Sequence, residues 1–370
     1  MRKLERQSNF ELMRLISMFF IVGWHVIMRG GIFKTGSELS GMISNIIMGI
    51  MIVHVNSLFF ITGYFNGDKD HVSTKKAFKL IGMIWFYRVA FLALFLYLGI
   101  LPISNILIGE ELFPLDLNNY WFMSTYLIIY MVSPYLNKII KNMEEKEYFN
   151  FITILFIILS VLPAISNLKA VNNDGFNIIQ FSLVYFIGGY FKKYPLKNNY
   201  HFKKLSEKKL RYLLIFLFFF VFFIRLSIYY FGDKLLSFKA EEIKYIGTII
   251  TNSYFRYSSP LVIIQSCIYC LIFETFDFKS KIINYSAKLT LGIYLVHENI
   301  FVREKLYDFL RISSNHSLLG SIAWFIIYTL IIYLGSFTIE LIRKLLLLLF
   351  GKVRSYFTTT KNNNSEKIAF

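Results

Sequence analysis

The sequence predicts an all-α, polytopic transmembrane bundle, and three observations lead to that prediction. Hydrophobic residues make up 56% of the chain and charged residues 17%, whereas soluble domains hold about 25% charged residues. Phe and Tyr are abundant, at 40 and 25 copies. Apolar stretches of about 20 residues, the length needed to cross a bilayer as a helix, recur along the chain. Because lipid offers no hydrogen-bonding partners to the backbone, we expect these stretches to be helices.

Ten such stretches are candidate membrane spans. The first follows a basic segment, but it is about 19 residues long and lacks a small-residue cleavage site, so we interpret it as an uncleaved helix. The candidate spans are residues 11–29, 43–65, 80–101, 120–136, 148–166, 177–191, 212–230, 258–276, 283–302 and 318–340. Residues 1–350 thus form one predicted transmembrane domain, and residues 351–370 form a polar tail that we expect to be disordered.

The Lys and Arg residues between the spans predict the orientation of the bundle. Segments on the side of the N-terminus hold 26 of these residues and segments on the opposite side hold 10. By the positive-inside rule, both termini lie in the cytoplasm. The same bias explains most of the net charge of +17 without nucleic acid, which is therefore not an expected partner. Anionic membrane lipids are candidate partners of the basic loop at 192–211.

Cations gather towards the cytoplasmic side of the predicted bundle. A charge at membrane depth costs about 2.5–3.5 kcal/mol on insertion scales, so it is retained mainly where it pairs or functions. Arg14 lies near the inner end of the first span, Arg88 is expected in the inner half of the third, and Lys288 near the inner end of the ninth. Arg14 and Lys288 could instead snorkel to the headgroups. Together they predict a binding site for a cytosolic anion.

Histidines gather towards the opposite side. His25 follows Arg14 by about 16 Å along the first helix and projects from nearly the same face. His297 lies near the outer end of the ninth span, with Glu298 beside it. Glu298 is a candidate for substrate binding, and the start of the fourth span and the loop before it add Asp116, Asn119 and Trp121. We interpret Tyr120 and Trp24 as members of the interfacial aromatic belt.

This layout suits an elongated anionic donor such as acyl-coenzyme A. Arginine binds phosphates well, and the pantetheine arm is of the order of the distance from Arg14 to His25. A histidine, with an ordinary pKa of about 6.5, can act as general base on an acceptor hydroxyl at the outer end. The acyl group would cross the membrane while the coenzyme stays cytosolic. No metal is expected in this chemistry.

Four ordered motifs resemble those of the integral-membrane acyltransferase 3 family. They are the R-x10-H pair Arg14 and His25, NSLFFITGYF at 56–65, YWFMSTYLIIYMVSPYLN at 120–137, and LTLGIYLVHEN at 289–299. The resemblance implies a ten-span architecture and transfer of an acyl group, usually acetyl, from cytosolic acyl-CoA to an extracytoplasmic hydroxyl, often on a glycan. It implies essential roles for Arg14 and His25 and a role for His297. The second cation that the family is expected to carry three positions from Arg88 is absent here.

The expected function is therefore O-acetylation of a cell-surface or capsular polysaccharide, or of its lipid-linked precursor, at a bacterial cytoplasmic membrane. The high usage of Lys, Asn, Ile and Phe is typical of a low-GC bacterium. Direct transfer with His25 as base and transfer through an acyl-histidine are both open. Two other functions also stay open: a secondary transporter or flippase of a glycan precursor, and a non-catalytic partner in a polysaccharide-assembly complex. The sequence allows a homo-oligomer.

Overall fold

The computed structural model describes residues 6–34, 37–100, 120–166, 175–312 and 317–367. All regular elements in these ranges are helices, which confirms the predicted all-α class. In chain order they are α1 (Ser8–Met28), α2 (Glu38–Met51), α3 (Val53–Asn66), α4 (Thr74–Tyr97), α5 (Trp121–Ile140), α6 (Glu145–Phe156), α7 (Leu162–Ser166), α8 (Ile178–Lys193), α9 (Glu207–Leu236), α10 (Glu241–Ser253), α11 (Pro260–Glu274), α12 (Lys281–Ser286), α13 (Thr290–His297), α14 (Ile300–Ile312) and α15 (Leu318–Lys367). A π-helical segment joins α6 to α7.

Six helical segments of the described chain are long and apolar enough to cross a membrane. They are Ser8–Met28, Glu38–Asn66, Thr74–Tyr97, Glu145–Ile165, Glu207–Leu236 and Leu318–Phe350. Each of the ten stretches predicted from the sequence overlaps at least one helix. The number of crossings and the cytoplasmic position of both termini stay predictions.

The α2–α3 segment is the most enclosed of these six, and glycines let α8 approach it closely. A Cβ atom at Gly63 would overlap the backbone oxygen of Tyr185, and one at Gly188 would overlap that of Phe60. The two backbones can therefore touch only while both positions are glycine. The close crossing of the two helices thus explains Gly63 in the FFITGYF segment and Gly188 in the GGY segment.

Helix α1 packs against α3, α11, α13 and α15, so its side chains point into the centre of the bundle. Asn9 donates from Nδ2 to the Phe273 carbonyl of α11 over 3.0 Å, and the Ser17 and Ser57 hydroxyls lie 2.9 Å apart between α1 and α3. Polar contacts of this kind fix the rotation of a helix within an apolar bundle. They orient the face of α1 that carries His25.

Two regions differ from the predicted pattern. The ninth candidate span is broken, because α13 ends at His297 and α14 starts at Ile300. Asn299 lies at the break, where its Oδ1 accepts from the backbone N–H of Phe301 over 3.2 Å and so supports the start of the new helix. The second difference concerns the segment after residue 350, where α15 continues as a helix through Lys367, and the expectation of a disordered tail at 351–370 stays a prediction.

Candidate active site

Helices α1 and α13 meet at two histidines, as the sequence predicted. Nδ1 of His25 lies 3.2 Å from Nε2 of His297. Nδ1 of His297 lies 2.6 Å from the carbonyl oxygen of Ile293, so that nitrogen carries a proton and Nε2 is left as an acceptor. His297 is fully buried, whereas the His25 side chain keeps 15% of its surface exposed. His25 is therefore the member of the pair that a substrate can reach.

Glu298 places a carboxylate against the same histidine. Its Oε1 lies 3.0 Å from Nδ1 of His25, while Oε2 lies 2.9 Å from Nη2 of Arg29 and 3.7 Å from Nη1 of Arg303. The carboxylate is only 2% exposed, and these two cations hold it in place. Since Nδ1 of His25 faces His297 and Glu298, Nε2 is the ring nitrogen that points away from both. We call His25, His297 and Glu298 the outer triad.

Tyr120 supports the backbone around the outer triad. Its hydroxyl donates to the carbonyl of Leu295 over 2.7 Å and accepts from Nδ2 of Asn299 over 3.1 Å. Tyr120 is 1% exposed and Trp24 is 8% exposed, so the interpretation of both as interfacial belt residues is wrong. Their burial follows from α1 and α5 lying inside the bundle rather than at its rim, which apolar patterning alone does not reveal.

The predicted substrate-binding residues fall into two groups. Trp121 is packed among aromatic rings, with Phe176 at 4.9 Å and Tyr257 at 6.1 Å between ring centroids. Trp121 follows Tyr120 directly in the chain and so lies next to the residue that supports the backbone around the outer triad. Asp116 and Asn119 lie outside the described residues.

A third histidine has a structural role. Nδ1 of His54 lies 2.6 Å from the carbonyl of Met51, and its Nε2 lies 3.1 Å from the hydroxyl of Tyr257. With both nitrogens occupied and 1% of its surface exposed, His54 cannot take a proton from a substrate without losing a bond. This agrees with its interpretation from the sequence as a hydrogen-bonded packing residue.

Arg14 lies at the other end of α1, in a group of charges near the helix ends that are predicted to be cytoplasmic. Its Nη1 lies 2.7 Å from Oε2 of Glu11, whose Oε1 lies 2.9 Å from Nη1 of Arg6. Lys76, at the start of α4, is close enough to both arginines to interact with them electrostatically. Its Nζ lies 4.5 Å from the ring centroid of Tyr130. We call Arg6, Arg14 and Lys76 the inner basic cluster.

The two other predicted donor-binding residues lie elsewhere. Arg88 is 3% exposed and lies close enough to Tyr120 to interact with its hydroxyl electrostatically. Counted from the start of α4 at Thr74, it lies past the midpoint of that helix, and its depth in the membrane stays a prediction. Lys288 is exposed in a short 3-10 segment, near Lys344, which donates to its carbonyl over 2.8 Å.

The outer triad could in principle hold a metal ion. One ligand atom from each of its three residues lies within 4.8 Å of the others. The guanidinium groups of Arg29 and Arg303 on the same carboxylate disfavour a further cation there. The expectation that the chemistry uses no metal stays a prediction.

Sequence reasoning missed Arg29, Arg303 and Lys76. Arg29 was counted as a loop residue, although it follows His25 by one helical turn and so lies on the same face. No comparable spacing in the sequence pointed to Arg303, because its contact with Glu298 depends on the break between α13 and α14. Lys76 was one lysine among several in a basic loop.

Comparison with known proteins identifies one relationship. A family model described as an acyltransferase domain matches residues 7–341, which include the outer triad and Arg14. No curated protein and no solved structure matches the chain significantly.

Proposed function

This chain belongs to the integral-membrane acyltransferase 3 family, and from that premise we propose a specific reaction. It transfers an acetyl group from cytosolic acetyl-CoA to a hydroxyl of an extracytoplasmic cell-surface or capsular polysaccharide, or of its lipid-linked precursor, at a bacterial cytoplasmic membrane. The observation that carries the proposal is the contact of His25 with His297 and Glu298 at one end of a helix whose other end bears Arg14.

The donor spans the length of α1. Its phosphates bind the inner basic cluster, where arginine and lysine supply charge-assisted hydrogen bonds. Arg14 and His25 are about 16 Å apart along the helix, which suits a pantetheine arm with the thioester next to His25. Glu11 already pairs with Arg6 and Arg14 and so fixes where their guanidinium groups lie before the donor arrives.

The outer triad supplies base catalysis. Nε2 of His25 takes the proton of the acceptor hydroxyl, and the oxygen attacks the thioester carbonyl. The carbon–sulfur bond then breaks, and the proton passes from His25 to the departing thiolate. The imidazolium formed in between is stabilised by the charge of the Glu298 carboxylate, and the hydrogen bond between Nδ1 of His25 and His297 orients the ring. Arg29 and Arg303 keep that carboxylate in place.

A two-step route is the alternative within the same chemistry. Nε2 of His25 would attack the thioester itself, and the acyl-imidazole would then react with the acceptor. Quenching a reaction with radiolabelled acetyl-CoA before acceptor is added distinguishes the two routes. Label that stays on the wild-type protein and is absent from His25→Ala supports the covalent route, and unlabelled wild type supports direct transfer.

The test of the proposed function is the O-acetyl content of surface polysaccharide, measured by proton NMR. A deletion strain is complemented with wild type, His25→Ala or the control His71→Ala, at matched membrane expression. His71 lies in the exposed segment between α3 and α4. We expect wild type and His71→Ala to restore the acetyl signal and His25→Ala to leave it absent.

Equal acetyl signal in every strain, the uncomplemented deletion included, would remove this glycan as the acceptor. If the purified protein also moved a glycan precursor without consuming acetyl-CoA, the transporter alternative would replace the acyltransferase proposal.

A further inference from the structure

A second buried cation lies in a different part of the bundle. Arg225 projects from α9 and is 2% exposed. Its Nη2 donates to the carbonyl of Gly49 over 2.8 Å, its Nη1 donates to Oε1 of Gln265, and its guanidinium carbon lies 4.5 Å from the ring centroid of Tyr254. These contacts hold the guanidinium between α2, α9 and α11.

All these partners are neutral. No carboxylate of the described chain forms an ion pair with Arg225, and its Nε atom has no hydrogen-bond partner. Nε2 of Gln265, next to it, is likewise buried without one. Buried charges are normally paired, and a cation at membrane depth is costly without an anion. The described part of the protein therefore does not supply the anion that would compensate the charge on Arg225.

A cavity of about 210 Å³ adjoins this guanidinium. Arg225, Tyr254 and Ser259 line it, together with Pro260 and Leu261 at the first turn of α11. The side chain of Ser259 does not cap that helix, and Pro260 has no N–H, so the first-turn N–H groups without an intrahelical acceptor are those of Leu261 and Val262. A helix N-terminus attracts anions, and here it shares a cavity with an uncompensated arginine.

The cavity opens towards the bilayer. Ile228 lines it and is 42% exposed on the outside of the bundle. Arg225 lies about 27 Å from the start of α9, and His25 lies about 25 Å from the start of α1. With the predicted orientation, both residues are in the outer half of the membrane at similar depth.

Aromatic rings join the cavity to the outer triad. The ring of Tyr254 lies 4.8 Å from that of Phe255, which lies 6.0 Å from Trp24, the residue before His25. A ligand bound at Arg225 would thus share a wall of packed side chains with the helix that carries the catalytic base.

We propose that this cavity binds the phosphate group of a membrane lipid, with Arg225 and the N-terminus of α11 as its anion-binding groups and the lipid chain in the bilayer beside Ile228. Two lipids present this chemistry: an anionic phospholipid, and a polyprenyl phosphate that carries the glycan acceptor. The second source rests on the proposed function, because it would bring the acceptor hydroxyl towards His25. If Arg225 serves only to hold α2, α9 and α11 together, lipid binding will not depend on its side chain.

The test measures lipid retention by native mass spectrometry on purified, delipidated full-length protein. The probes are phosphatidylglycerol, zwitterionic phosphatidylcholine and a polyprenyl phosphate, each added to wild type, Arg225→Met, Arg225→Lys and the control Lys239→Met. Lys239 is an exposed residue between α9 and α10, so its loss changes net charge without touching the cavity. We expect wild type and Lys239→Met to retain an anionic lipid over phosphatidylcholine. Arg225→Met should lose about tenfold or more of that preference, the scale of a charged hydrogen bond, and Arg225→Lys less.

A second variant keeps the test informative if Arg225→Met misfolds. Ala164→Trp fills the cavity from α7 and leaves every hydrogen bond of Arg225 intact, and it should weaken retention as well. Preference for polyprenyl phosphate assigns the cavity to the acceptor lipid, and equal retention of both anionic lipids assigns it to phospholipid. Retention that is unchanged by both Arg225→Met and Ala164→Trp overturns the proposal. Because the assay contains no acyl-CoA, this result is independent of whether the protein transfers acyl groups.

Discussion

At its outer end α1 presents His25 to a buried carboxylate, whereas at its inner end it presents Arg14 to a more open group of charges. His297 and Glu298 are almost completely enclosed, and each is held by a further hydrogen bond or ion pair. Arg6 and Arg14 keep 41% and 29% of their side-chain surface exposed. One helix therefore carries a rigid site and an accessible one.

The difference matches what the two ends are proposed to do. A general base works best when its partners are already oriented and water is largely excluded, because no reorganisation is then needed during the reaction. A binding site for a cytosolic donor must instead be reached and left by a large anion at every turnover. Substitutions at the outer end should thus change kcat, and substitutions at the inner end should change KM for the donor.

His25→Ala should have the largest effect. Removing the general base is expected to lower kcat by about 10²–10⁴-fold, with acyl-CoA binding nearly unchanged because the phosphates are held at the other end of α1. Steady-state kinetics and equilibrium binding of acyl-CoA to purified protein in nanodiscs measure both quantities. Loss of binding together with normal kcat at saturating donor would reverse the assignment of the two ends.

Glu298→Gln should have the next largest effect. The amide keeps the shape of the side chain but removes the charge that stabilises the imidazolium of His25 and pairs with Arg29 and Arg303. We expect kcat to fall by about 10–100-fold, the scale for losing a carboxylate that supports a functional histidine from outside the reacting atoms. The matched control is Glu304→Gln, on the exposed side of α14. A fall of equal size in the control would show a general effect of lost negative charge.

The sequence predicted much of this outer site but not what holds it. The R-x10-H spacing on one helix face and the neighbouring His297 and Glu298 follow from local patterns, and the structure brings all three outer residues together. The contact between Arg303 and Glu298 instead depends on a break in the ninth span, which Asn299 supports. The break falls at the polar residues His297, Glu298 and Asn299, but the apolar residues on both sides of it led hydropathy to predict a single helix.

The neighbours of Arg88 were the other feature that hydropathy did not predict. Arg88 was assigned to the inner half because its helix was taken to start where strong hydropathy starts, whereas α4 starts at Thr74. Hydropathy gives a position along the helix, but it does not show that the side chain lies close to Tyr120. The depth of Arg88 in the membrane and its role in donor binding stay predictions.

Arg14→Ala should act at the inner end and more weakly. Loss of one charged contact to a partly exposed phosphate site is expected to raise KM for acyl-CoA by about 10-fold, with kcat within a factor of two. Lys138→Ala is the control, since Lys138 is an exposed cation near the C-terminal end of α5, which is predicted to be cytoplasmic. An unchanged KM in a normally inserted Arg14→Ala protein would remove its role as a phosphate ligand. The same measurement on Lys76→Ala asks whether the inner basic cluster extends to α4.

Salt should produce the smallest effect and separate the two ends without any substitution. Exposed charges are screened over about 10 Å at 0.1 M ionic strength, whereas buried pairs are screened much less. Raising the ionic strength of the assay should therefore increase KM for acyl-CoA by a few fold and leave kcat nearly constant. The increase should be smaller in Arg14→Ala, because one of the screened contacts is already missing. A salt-sensitive kcat with a constant KM would contradict this assignment. It would mean that the exposed charges act in the chemical step and that solvent ions screen the outer triad.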